Sequence, residues 1–176
     1  MVVRAIIGRS WGQGAQHSQA LHSFFMHVPG IKVVAPTTPH DAKGCLIAAI
    51  RDDNPVIFME HRMLYGNRGV VPKEIYQVPF GQARHLTEGQ DITIIGVSHM
   101  VVECLRAAQV LKDVGISAEV IDPVTLAPLD INAILTSANK TGHLLIVDTS
   151  WTICGAGSEI VARVVEETGE QGIPKM

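Results

Sequence analysis

The chain has 176 residues, 47% of them hydrophobic and only 18% charged, with a net charge of −3 at neutral pH. That composition supplies a large aliphatic core and argues against disorder, a nucleic-acid surface or attraction to an anionic membrane. The apolar runs are too short to span a bilayer, and the three scattered cysteines (Cys45, Cys104, Cys154), with no CxxC pair, read as reduced core thiols in a cytoplasm.

Val2–Ile7 reads as a buried strand, and a segment containing Gly8, Gly12 and Gly14 follows it. Gln16–His27 is the first predicted helix, with Leu21, Phe24 and Phe25 as its apolar residues and Pro29-Gly30 as its stop. A short strand over Ile31–Ala35 is closed by Pro36. Thr37-Thr38-Pro39-His40-Asp41 then opens a helix with a threonine cap, a proline in the first turn and an acid near the positive end of the dipole. That helix breaks at Asp52-Asp53-Asn54-Pro55, and Val56–Met59 is the next strand. The order βαβαβ with short links predicts a parallel sheet.

From Glu60 to Glu88 the pattern gives way to glycine, proline and charge, as in a domain linker or a functional loop. Order returns with a strand over Asp91–Val97 and a helix capped by Ser98 that runs to about Val114. A strand over Ser117–Ile121, a helix opening at Leu129-Asp130, a strand over Leu144–Val147 and a helix over Gly157–Glu167 complete a second, three-layer α/β unit. The fold class is α/β, with a first unit over 1–66, a linker over 67–90 and a second unit over 91–176.

Gly8-Arg9-Ser10-Trp11-Gly12 matches the G-x-S-x-G nucleophile elbow, but only one strand precedes it. Neither Asp122 nor Asp148 has a histidine in a loop after the last strand. Gly12-Gln13-Gly14-Ala15-Gln16-His17 misses the dinucleotide fingerprint at its third glycine, where His17 stands. His17, His22 and His27 recur every five residues and so cannot share one helix face as a metal cluster. His17 follows the glycine loop at a helix start, where it reads either as a surface histidine or as an imidazole poised for proton transfer. Ala49-Ile50-Arg51-Asp52-Asp53-Asn54-Pro55 reads either as a solvated helix end or as a cation site built from terminal carbonyls and nearby acids.

Taken in order, Gly14-Ala-Gln-His17-Ser-Gln, Pro29-Gly-Ile-Lys-Val-Val, Asp41-Ala-Lys-Gly44, Ala49-Ile-Arg-Asp-Asp-Asn-Pro-Val and Leu64-Tyr65-Gly66 resemble one family. It is the beta subunit of thiamine-diphosphate-dependent 2-oxo acid dehydrogenases, the pyruvate, acetoin and branched-chain enzymes. The resemblance continues through Asp148, Trp151 and Gly155-Ala-Gly-Ser-Glu159. It implies a transketolase-like architecture: the later part of a pyrimidine-binding parallel-sheet domain, then a transketolase C-terminal-like three-layer domain. His17 inherits a catalytic place beside the cofactor's thiazolium, in decarboxylation or in acyl transfer to a lipoyl group. Ala49, Ile50, Asp52 and Asn54 inherit a structural potassium site, Ala49 and Ile50 through backbone carbonyls.

The resemblance also implies an alpha subunit that holds magnesium and diphosphate, a lipoyl acyltransferase component, and contacts between beta copies. The family's cofactor-activating glutamate has no counterpart in this sequence, and no cofactor-binding residue is assigned in it. The expectation is a fragment truncated at both ends, inactive alone, cytoplasmic, and prone to self-association through an exposed sheet edge. The competing class is a non-catalytic α/β module for partner binding or assembly.

Overall fold

The computed structural model describes residues 1–8, 13–168, 172, 174 and 175. Two four-stranded sheets organise the chain, each with three parallel strands and one antiparallel edge strand. The first sheet contains β1 (Val2–Ile7), β3 (Val56–His61) and β2 (Lys32–Val34) in that spatial order, with β7 (Thr125–Ala127) added antiparallel to β2. The second has the order β4 (Arg84–His85), β6 (Ala118–Asp122), β5 (Ile92–Gly96), β8 (Leu144–Val147).

Alternation along the central strands fills both faces of each sheet. In the first, Val33, Ala35, Ile57 and Met59 face one core together with Ile7 and Ala20. Val34, Val56 and Phe58 face the other, against Cys45 and Ala49 of α2 (Pro39–Arg51). In the second sheet, Ile95 and Ile121 pack under α4 (Ile131–Thr141) and α5 (Ala156–Thr168). Ile94 and Val120 pack under Cys104 and Ala108 of α3 (Met100–Asp113). The two halves share material: Val97 and Leu126, from the second half of the chain, lie in the first core.

Most of the predicted elements are present, and the departures have local causes. The helix expected over Gln16–His27 is instead a 3-10 turn at Ala15–His17 and a five-residue helix, α1 (His22–Met26). Of its apolar residues, Phe24 is 71% exposed. Of the two threonines at the expected helix start, Thr38 caps α2, its Oγ1 accepting from Asp41 N at 3.0 Å. Ser98 does not cap α3. It is buried with φ 52°, and the helix begins after His99 without a side-chain cap.

β7 escaped the sequence reading because three residues after Pro123 carry no period; their pairing with β2 across the chain creates the strand. The stretch between the two sheets packs along α2, where Gly44 admits the ring of Tyr76 and Lys43 Nζ donates to the Glu74 carbonyl at 2.9 Å. Cys45 and Cys104 are buried free thiols, pushed up to about 12 and about 11, chiefly by burial. Cys154 is free but exposed, so it is not a core thiol. Among the described residues no helix is long and apolar enough to cross a membrane.

Candidate active site

Parallel strands of one sheet end on the same edge, which is where open α/β sheets take ligands. Here the ends of strands from both sheets converge. Gly8, just beyond β1, adopts φ 77°, and a Cβ at that position would fall 2.0 Å from Nε2 of His61, the last residue of β3. Only a glycine allows both the left-handed backbone and the imidazole's approach. The His61 ring stacks on His99, which follows β5, with centroids 4.9 Å apart and planes 15° from parallel. Burial and the neighbouring His99 push His61 down to about 4, so it is neutral near pH 7. Thr37, beyond β2, donates from Oγ1 to the Ser98 carbonyl at 3.1 Å.

The loop after the opening glycines is anchored to this junction. Gly8 N donates to Gln19 O at 3.0 Å, Ser18 Oγ donates to Gly14 O at 2.7 Å, and Ala20 is buried in the first core. His17 ends the 3-10 turn within that loop and is exposed. Five residues on, His22 is fully buried, and its Nε2 lies 2.9 Å from Oδ2 of Asp148, just after β8. Burial alone would raise the Asp148 carboxyl, but hydrogen bonds from His22 and Ser150 outweigh it and hold the group below the usual carboxylate range.

Beside this junction, a cavity of about 370 Å³ is lined by Arg4, Thr37, Lys43, Glu60, His61 and Tyr65, among others. Glu60 pairs with Arg4 and accepts from Tyr65 Oη at 3.0 Å. His17 is not among the residues that line it. A second polar group ties the halves together nearby: Arg84 pairs with Asp41, and Asp122 is 1% exposed with Oδ1 accepting from Val124 N at 2.8 Å. Burial pushes Asp122 up to about 7.

The residues read as a cation site lie at the end of α2, away from the strand junction. Asp52 N donates to Ala49 O at 3.3 Å, and Asp52 Oδ1 accepts from Asn54 N at 2.9 Å and Asn54 Nδ2 at 3.0 Å. Lys32 pairs with the other carboxylate oxygen. The Lys32 hydrogen bond, then that of the Asn54 amide, pull the Asp52 carboxyl down to about 2. Ala49, Asp52 and Asn54 are thus brought together, while the Ile50 side chain is 68% exposed. Among the described residues no group of three or more His, Cys, Asp and Glu side chains could hold a metal.

Four of the nucleophile-elbow residues, 9–12, lie outside the described residues. The sequence reading singled out His17 but passed over His22 and His61, because neither burial nor a partner 126 residues away shows in local spacing. One signal was available for His22: it precedes Phe25 and Met26 at helical spacing, on the side of α1 that packs against the core.

The transketolase C-terminal domain model matches residues 81–174, and the transketolase pyrimidine binding domain model matches residues 1–68. The chain belongs to the transketolase family. Among curated relatives of this transketolase-family chain, it is 46% identical over 167 residues to the acetoin:2,6-dichlorophenolindophenol oxidoreductase subunit beta of Cupriavidus necator, covering 95% of this chain and 49% of that one. It is also 46% identical to the pyruvate dehydrogenase E1 component subunit beta of Rickettsia felis, covering 95% and 51%. The chain therefore spans about half the length of the curated relatives it matches. Among solved structures, a split gene transketolase in an inactive beta4 tetramer superposes with a TM-score of 0.82 at 26% identity, covering 96% of this chain and 54% of that one.

Proposed function

We propose that this transketolase-family chain forms part of the beta subunit of a thiamine-diphosphate-dependent 2-oxo acid dehydrogenase, of the pyruvate or acetoin type. The subunit would act with an alpha subunit and hand an acyl group to a lipoyl acyltransferase component. One observation carries the reading: an exposed histidine on a loop anchored where strand ends of both sheets converge, in a chain 46% identical to beta subunits of such enzymes.

Thiamine diphosphate, when bound, supplies the electron sink that stabilises a carbanion at the substrate carbonyl carbon. The residues present suit its reacting end: Gly8 leaves the backbone close to the junction, and neutral His61 adds no charge there. As the family resemblance implies, the diphosphate and its magnesium would be held by the alpha subunit. His17 would hold or deliver a proton through a ring nitrogen of its exposed imidazole.

A potassium ion belongs to the same proposal, at the end of α2, where the last carbonyls of the helix lack intrahelical donors. Because Lys32 and Asn54 already use the Asp52 carboxylate, Asp52 and Asn54 would contribute backbone carbonyls, as Ala49 and Ile50 do. The contact with other subunits is assigned to the apolar face of Phe24, Trp151 and Ile153, which are 71%, 76% and 81% exposed. A cytoplasmic location is part of this reading.

The test is to assemble the protein with its alpha subunit and thiamine diphosphate and to follow dye reduction. The proposal expects reduction that depends on pyruvate or acetoin. Assembly without any substrate-dependent reduction would favour the non-catalytic module.

A further inference from the structure

We infer that His22 and Asp148 form a positioning pair, which registers the His17 loop against the second sheet. The inference rests on the role proposed for His17 and identifies what holds that residue in place. His22 lies five positions after His17, and the stretch between them is tied, among the described residues, by the Ser18 bond to Gly14 O, the Gly8 bond to Gln19 O and the burial of Ala20. The loop has a single 3-10 turn at Ala15–His17, without a side-chain cap, and then non-helical backbone as far as His22. On the β1 side the loop is held by the Gly8 N–Gln19 O bond. On the far side Ala20, Phe25 and Met26 pack against the first core, and His22 adds the polar tie to the second sheet.

The His22 ring is fully buried, and its Nδ1 has no partner among the described residues. The ionised Asp148 carboxylate can only accept, so the ring nitrogen facing it carries the hydrogen. Nε2–H therefore donates to Asp148 Oδ2 at 2.9 Å, a charge-assisted bond. Asp148 is fixed in turn. Ser150 Oγ donates to Oδ2 at 2.9 Å and Ser150 N to Oδ1 at 3.2 Å. The strand before it is held by Val97 N donating to Val147 O at 3.0 Å.

The turn that follows is wound tightly, since a Cβ on Gly155 would fall 2.0 Å from the Trp151 carbonyl oxygen. The carboxylate thus sits in a rigid corner of the second sheet and reaches across to a loop of the first. A displacement of His17 by about 1 Å is enough to cost roughly a hundredfold in rate if that imidazole acts on a reacting atom.

Amide hydrogen exchange, read by mass spectrometry on His22→Leu, His22→Gln and the parent protein, tests this. Exchange over residues 13–21 should rise by about tenfold or more in His22→Leu, with residues 39–51 staying within about twofold. His22→Gln keeps an N–H donor and should return the loop to within about threefold of the parent. In the assembled enzyme His22→Leu should lower kcat by about tenfold or more with KM near that of the parent.

A loop whose exchange stays within about twofold in His22→Leu overturns the inference. So does an increase shared equally by 39–51, no rescue by Gln, or a freed loop that leaves kcat intact. Were the loop freed as expected in an enzyme whose activity survives His17→Ala, the anchoring would stand and the catalytic reading of His17 would fall.

Discussion

Gly8 lets the chain just beyond β1 lie against His61 at the end of β3, because a φ of 77° and the adjacent ring leave no room for a side chain there. Gly8→Ala should therefore cost roughly 2–4 kcal/mol, combining left-handed strain with overpacking, as measured by urea unfolding. His61 and Asp122 give the junction a pH dependence whose parts oppose one another. His61 has a folded value of about 4, below its ordinary 6.5, so the stability tied to its neutral form is present above 6.5 and lost as pH falls towards 4. Asp122 is raised from 3.8 to about 7, so the stability tied to its protonated form is present at low pH and lost as pH rises through 7. Between pH 5 and 6.5 these contributions nearly cancel; above that only the Asp122 loss remains. Asp122→Asn should then gain roughly 2 kcal/mol from pH 5 to 6.5 and stay level to pH 8, whereas the parent should lose on the order of 1 kcal/mol by pH 8. Urea titrations at the three pH values measure both curves, and a variant that tracks the parent would refute the assignment.

At the scale of elements, sequence legibility followed the source of each element's order. α2 was readable at both ends because its determinants are local: a threonine at the cap, Pro39 in the first turn, apolar residues at helical spacing and the Asp52–Pro55 break. Thr38→Ala removes the acceptor for Asp41 N and a hydrogen bond to the Asp41 carboxylate. It should lower stability by about 1–2 kcal/mol, measured as a shift in the urea midpoint. A helix over Gln16–His27 is longer than the one that forms, because that stretch has helical composition while the Gly8–Gln19 and His22–Asp148 bonds hold its first part in a loop. β7 was invisible because its order comes from β2, some 90 residues earlier. His17 is singled out by a resemblance in motif order, whereas the His22–Asp148 contact beside its loop needed the fold.

For the whole molecule, the two halves are joined by polar ties and by a core that each helps to fill. Arg84–Asp41, Thr37–Ser98 and His22–Asp148 all cross between them, and Val97 and Leu126 complete the first core. Phe24, Trp151 and Ile153 form an uncovered apolar face around a cavity of about 380 Å³. If this face meets another subunit, Trp151→Asp should weaken assembly by about tenfold or more in sedimentation velocity while leaving the urea midpoint near that of the parent. The most direct measurement of the account is substrate-dependent dye reduction by the assembled enzyme carrying His17→Ala. A fall of about a hundredfold or more, with assembly intact, is the predicted result; activity equal to that of the parent would contradict the account.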